Sequence, residues 1–352
     1  MKSTKSFKSK FFPALALATI TAPAMVLADV SFTEIALDHD DWGGAVAVSN
    51  NGVVAFTSDT TLYKWSKNNG LVALGEVEWS RVARPHISNE GDVIAFNNLS
   101  YSDSGDTHIY TDTTLRIIDR LEFNSSVLSS NGAILGGRTV INGVAYAANL
   151  NLVNDTVTTF PDTAEVQFVK VSSLSHSGDV VSLTTKSDPG DWVSRNGSYV
   201  VSSNGEPQLI EGISFLYSVQ VLGNGQKVIA EVSSCTNIQP AGTAMCAASW
   251  NKSANELTEI GYFRPTDASS DGSIVVGNGW SDFPGAKIWD AYNGTRNVED
   301  VLSSKGINMD GWSEFKGLNI SDDGNKIAGY ATNPAGQTRP FLIDIIPQCT
   351  GL

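Results

Sequence analysis

The sequence predicts an all-β fold: a seven-bladed β-propeller of four-stranded antiparallel blades, closed by the N-terminal strand. Three observations predict it. A tetrad ending in glycine recurs seven times, its period is about 45 residues, and the chain starts with a spare strand where its last unit lacks one.

The tetrads are SNNG ending at Gly52, SNEG at Gly91, SSNG at Gly132, SHSG at Gly178, LGNG at Gly225, SSDG at Gly272 and SDDG at Gly324. Serine opens six of them. An apolar residue precedes each (Val48, Ile87, Leu128, Leu174, Val221, Ala268, Ile320), and a β-forming run such as DVIAF, DVVSL or SIVVG follows. Ser, Asn and Asp bond their own backbone in a type I turn, and glycine takes the positive-φ position that closes a short hairpin. Each tetrad therefore joins two antiparallel strands.

A third strand follows each hairpin: LYKW, HIY, VAYAANL, SYVVS, AASW, AKIW and RPFLIDI. A fourth usually comes next, as in LVALGEV, LRIIDRL, LTEIGYF and RNVEDVL. Four short strands per period match a propeller blade. The seventh unit stops after RPFLIDI, while VSFTEIAL stands unassigned before the first hairpin. Pairing the two closes the ring and removes the open sheet edges. A β-helix has shorter coils, and stacked sandwiches do not explain one continuous period.

The first 28 residues read as a signal peptide. MKSTKSFKSK carries four lysines and no acid, an apolar run follows, and Val26-Leu27-Ala28 offers small residues for cleavage. Pro13 and Pro23 interrupt the run, which argues against a retained anchor. The expected organisation is a leader over 1–28, one propeller over 29–348 and a tail over 349–352, in a secreted or periplasmic protein. Four of the 23 basic residues and none of the 37 acidic ones lie in the leader, so its loss moves the net charge from −14 to −18. Such a surface repels nucleic acid and anionic membranes, and neither is an expected partner. Cys235 and Cys246 flank a polar loop and are expected to pair, leaving Cys349 free or intermolecular.

The last unit, GAKIWDAYNGTRNVEDVLSSKGINMDGWSEFKGLNISDDGNKIAGYATNPAGQTRPFLIDI, resembles the secreted bacterial HAF repeat proteins. It shares their serine-acidic-glycine hairpin followed by an aromatic strand, although the His-Ala-Phe triplet itself is absent. The resemblance implies an exported propeller with no settled activity. The hairpin is not a sialidase-type Asp box, because SDDGNKI lacks the extra residue before glycine and the aromatic after it.

In a propeller the tetrad turns share one rim, and the loops between second and third strands and between blades share the other. The tetrads, with His176 among them, are expected on a plain rim. The opposite face collects longer loops such as LDHDDWGG, GEVEWSRVARPH, TKSDPGDWVSRN and GNGWSDFPG, and variable loops are where binding residues concentrate. Trp65, Trp250 and Trp289 end third strands and are expected to pack between blades. Trp42, Trp79, Trp192, Trp280 and Trp312 fall in the loops, where an indole either stacks on a sugar ring or folds back over its own blade. With Arg81 and Arg195 they form the expected binding set for a polysaccharide or an envelope protein. The alternative is a polysaccharide lyase, which needs a His or Tyr base for the uronate C5 proton and a cation for the adjacent carboxylate. His39, His86, His108, Tyr101, Arg84 and Arg264 are its candidates. Asp38, Asp40 and Asp41 could hold calcium but lack the EF-hand spacing and closing Glu. No cofactor or metal is expected.

Overall fold

The computed structural model describes residues 27–39, 44–77, 84–98, 106–112, 114–119, 124–162, 167–185, 198–202, 206–210, 219–232, 235, 245–281 and 283–347. Within them, seven four-stranded antiparallel sheets form the propeller. Blades 1 to 6 span 46–76, 86–118, 124–159, 168–209, 219–261 and 264–297. Blade 7 takes 313–347, and Leu27–Glu34 is its outermost strand. That strand runs antiparallel to Thr338–Pro347, from Leu27 opposite Pro347 to Glu34 opposite Phe341. The ring is closed by the N-terminal strand.

The tetrads work through three linked features. All seven closing glycines have positive φ, between 69° and 81°. Each donates its N–H to the carbonyl of the tetrad's first residue, at 2.7–3.1 Å. In the six tetrads that open with serine, its hydroxyl accepts the N–H just beyond the turn, as from Val53 to Ser49 (2.9 Å) and from Lys326 to Ser321 (3.0 Å). The glycine has a second reason, which is close approach between blades. A Cβ on Gly225 would lie 2.5 Å from the Val180 side chain of the preceding blade, and one on Gly91 would lie 2.7 Å from Val53. Adjacent tetrads are also tied by backbone bonds, Asn50 to Asn89, Asn89 to Ser130, His176 to Gly223 and Ser270 to Asp322.

Among the described residues the hydrophobic core is not one cluster but seven, one for each blade-to-blade interface. Phe56 and Val54 of blade 1 meet Tyr330 and Ala328 of blade 7, and Trp250 and Val228 of blade 5 meet Val180 and Val200 of blade 4. On the inner strands successive apolar residues face opposite neighbours, as Val54 and Phe56 face blade 7 and Ala55 faces blade 2, the repeat-protein solution to a sheet too small to stand alone. Trp250 is fully buried, and its Nε1 donates to Asn255 Oδ1 (3.2 Å). Trp65 and Trp289 pack part-buried on their own interfaces.

One expected strand is corrected. RNVEDVL is not all strand: Gly294–Asn297 ends the sheet and Val298–Ser304 is an α-helix. Glu299 and Asp300 sit in its first turn, where acids favour the positive end of the dipole, and Val298, Val301 and Leu302 form its buried face.

Cys235 and Cys246 form a disulfide within the buried layer between blades 4 and 5. Cys349 lies outside the described residues. Replacing both bonded cysteines with alanine is expected to lower stability by about 2–3 kcal/mol through the entropy of the freed loop, measured by urea unfolding. An unchanged midpoint would show that the loop is restrained without the bond.

Candidate functional site

The loop-bearing face holds the sequence-predicted residues unevenly. Trp42, Trp79, Trp192, Tyr101, Arg81 and Arg195 lie outside the described residues, as do Asp40 and Asp41. Trp312 folds back onto its blade, edge-on to Phe32 at 4.8 Å between ring centroids, and joins the blade 6–7 core. Trp280 is half-buried, and its indole Nε1 has no partner among the described residues.

The Trp280 loop is built to be rigid. Gly279 N–H donates to the Gly285 carbonyl (2.7 Å), and Phe283 N–H to the Trp280 carbonyl (2.9 Å). A Cβ on Gly279 would strike the Phe283 carbonyl oxygen at 1.9 Å, so the sharp turn requires glycine there. Beneath it, Lys287 is fully buried on the third strand of blade 6. Its Nζ donates to the Pro284 carbonyl (2.8 Å) and to Asn297 Oδ1, and sits 3.4 Å from the centroid of the Phe283 ring. Burial pulls the Lys287 pKa down while Glu299 and Asp300 oppose the shift. The lysine thus clamps a loop that leaves Phe283 exposed beside Trp280.

The candidate acid–base residues are dispersed. His39 lies in the connection from the closing strand to blade 1. Its ring nitrogens meet Asp38 Oδ1 (2.6 Å) and Ser58 Oγ (2.9 Å), and its carbonyl accepts from Arg339 (2.7 Å). The side-chain hydrogen bond with His39 holds the Asp38 carboxyl below its ordinary value. His108 is on the third strand of blade 2, packed on Phe96 at 5.1 Å, and burial depresses its pKa. Arg264 pairs with the buried Glu231 at 3.1 Å, and burial raises the Glu231 pKa against the pull of that guanidinium. Arg84 is exposed. His86 is not on the loop-bearing face. It sits on the innermost strand of blade 2, two residues before the tetrad, and lines the central cavity.

That cavity is what sequence reasoning missed, because it opens among the tetrads that were expected to be plain. It has a volume of about 130 Å³ and two polar layers. The outer layer comes from the second tetrad positions. Asn89 Nδ2 donates to Asp322 Oδ2 (3.1 Å), and His176 Nδ1 lies 3.2 Å from the same oxygen and 3.3 Å from Asn89 Nδ2. Blades 2, 4 and 7 therefore meet across the mouth. With a proton on Nδ1 the imidazole donates to Asp322; without one it accepts from Asn89.

The inner layer comes from the position two before each tetrad, where His86, Ser173, Gln220, Asp267 and Asn319 are joined by Ala47 and Val127. Several of these side chains stitch one blade to the next. Asn319 Oδ1 accepts from Val48 N–H (2.9 Å), Ser173 Oγ from Val221 N–H (2.8 Å) and Asp267 Oδ2 from Ile320 N–H (2.8 Å). Asp267 Oδ1 also accepts from Ala268 N–H and Gln220 Nε2. Despite those donors, burial pushes the Asp267 pKa up to about 7, helped by the nearby Asp322 charge. Aligning the repeats on their tetrads exposes this column of polar residues in otherwise apolar strands, which is the signal that could have located the cavity.

No protein-family model matches the sequence, and no curated protein matches it. Among solved structures the fold is similar to oligogalacturonate lyase from Vibrio parahaemolyticus (TM-score 0.58, 11% identity, 91% of this chain and 98% of that one). It is also similar to the β-propeller domain of the trilobed protease from Pyrococcus furiosus (TM-score 0.56, 9% identity, 88% and 97% covered). A chain of the mitotic checkpoint complex is a third (TM-score 0.56, 13% identity, 97% and 100% covered). At these identities the likeness is one of fold. The Pyrococcus domain is described as having an open velcro topology, whereas here the first strand closes the ring.

Proposed function

We propose that this chain is an exported, non-catalytic propeller that binds a polysaccharide through its loop-bearing face. The clamped aromatic loop of blade 6 carries the reading. Phe283 and Trp280 are held on a short turn by a buried lysine, so little ordering entropy is lost when a sugar ring stacks there. The disulfide is compatible with an extracellular or periplasmic location, and no helix among the described residues is long and apolar enough to cross a membrane. The resemblance of the last unit to HAF repeat proteins bears on export alone.

A glycan array with the intact chain, followed by titration of the best ligand, tests it. Phe283→Ala is expected to weaken binding about tenfold, the loss of one stacked ring, and to lower the melting temperature modestly because the Lys287 ammonium loses its aromatic face. Unaltered affinity in both Phe283→Ala and Trp280→Ala would remove the loop from the site. The lyase alternative draws on the oligogalacturonate lyase likeness, which is of fold alone. It also requires a base and a cation on one sugar: His39, His108 and Arg264 occupy separate places, Arg84 and His86 lie two residues apart with His86 in the central cavity, and Tyr101 lies outside the described residues. Ultraviolet absorbance of unsaturated product from uronate polymers would restore it.

A further inference from the structure

The tetrad-side cavity plays no part in that reading, and its chemistry points to a ligand of its own. The lining carries two carboxylates, Asp267 and Asp322, and two imidazoles, His86 and His176, but no lysine or arginine. At about 30 Å³ per water, the volume is far more than one bridging water needs. Its lining offers donors, among them the Ser130, Ser270 and Asn319 side chains, and three open acceptors, two of them carboxylates. Gln220 Oε1 is buried with no hydrogen-bond partner among the described residues, while its Nε2 is spent on Asp267 and the Ala268 carbonyl. A carboxylate has about four lone-pair sites, and Asp267 uses three of them. Asp322 is bonded through Oδ2, which leaves Oδ1.

The three residues that carry these acceptors belong to blades 5, 6 and 7 and line the cavity side by side around the ring. A guanidinium is planar and matches paired acceptors side by side, whereas an ammonium is compact and carries three donors that point apart. We propose that the central cavity binds a primary ammonium group, with Gln220 Oε1 and the Asp267 and Asp322 carboxylates as its acceptors. The cation enters past Asn89 and His176 and takes over their contact with Asp322. The elevated Asp267 pKa adds a linkage: a bound cation favours the ionised carboxylate, so binding near or below pH 7 releases protons. His86, His176 and Asp322 are the other titratable groups of the lining.

The test is calorimetric titration of the full chain with glucosamine, with glucose as the neutral isostere, and with a short peptide bearing one lysine. Glucosamine is expected to bind and glucose not. Asp322→Asn keeps the shape and an acceptor but removes the charge, and is expected to weaken the amine tenfold or more. Gln220→Met, nearly isosteric, removes the open acceptor and is expected to weaken it several-fold should the first variant fold poorly. Phe283→Ala separates the two faces, since it leaves this site untouched. Binding of the lysine peptide in place of glucosamine would uphold the ammonium site and assign its source to a polypeptide. Equal affinity for glucose and glucosamine, no binding of either amine, or an unchanged affinity in Asp322→Asn would overturn the proposal.

Discussion

Removing the closing strand is expected to abolish cooperative unfolding. A chain starting at Asp38 loses Leu27–Glu34, whose backbone pairs along Thr338–Pro347. It also loses Val30 and Phe32 from the core between blades 6 and 7, and Ile35 and Leu37 from the core between blades 7 and 1. The covalent link from blade 7 to blade 1 goes with them. What is left at that junction is a noncovalent seam, including Tyr330 Oη to the Thr57 carbonyl (2.7 Å) and Lys67 to Asp344 (3.0 Å). Blade 7 would then end on an unpaired strand carrying Phe341, Ile343 and Ile345, an aggregation-prone edge.

The milder variant is quantitative. Phe32 touches Trp312, Phe341 and Phe315, with centroids at 4.8, 5.3 and 6.1 Å. Phe32→Ala should cost about 3 kcal/mol, the low end for a buried phenylalanine because the ring is only part-buried. Ile141→Ala, at an exposed hairpin position, should fall within about 0.5 kcal/mol of the parent chain. Equal urea midpoints for the two variants would show that closure contributes little.

The contrast between that strand and the cavity shows what a single sequence makes readable. Blade count and closure were legible because the tetrad is local chemistry: a serine hydroxyl, a positive-φ glycine and the N–H it reaches all lie within six residues. Helix Val298–Ser304 was obscured by its place in the repeat, where a fourth strand is due, although Val298, Val301 and Leu302 recur at the i, i+3, i+4 spacing of a helix face. Trp312 was readable as an indole but not as core, since its partner Phe32 arrives from the other end of the chain. The cavity was hidden for the opposite reason. His86, Ser173, Gln220, Asp267 and Asn319 share no residue type, only a position within the repeat, and ring geometry is what gathers them.

Asp267 gives the second large effect, on the pH dependence of stability. Burial pushes its carboxyl from the ordinary value of 3.8 in the unfolded chain up to about 7 in the folded one. Between those values the folded state holds a proton that the unfolded state has released, so the contribution of Asp267 to stability is greatest below about pH 4 and is lost as pH rises through the folded pKa. A rise of roughly three units corresponds to about 4 kcal/mol across the window. Gln220 can accommodate the proton by turning its amide, so that the unpartnered Oε1 accepts from the acid. Asp267→Asn cannot titrate. It also presents an NH2 where a second acceptor is needed, a cost of about 1–3 kcal/mol against the protonated parent, which the parent's own loss at high pH outweighs. Other groups titrate alike in both chains, so the informative quantity is the difference between their unfolding free energies. That difference should favour the parent chain most near pH 4 and shrink by about 4 kcal/mol by pH 8. A difference that stays constant over that range would mean that the three N–H donors keep the carboxylate ionised despite its burial, and that the inner layer of the cavity carries a permanent charge.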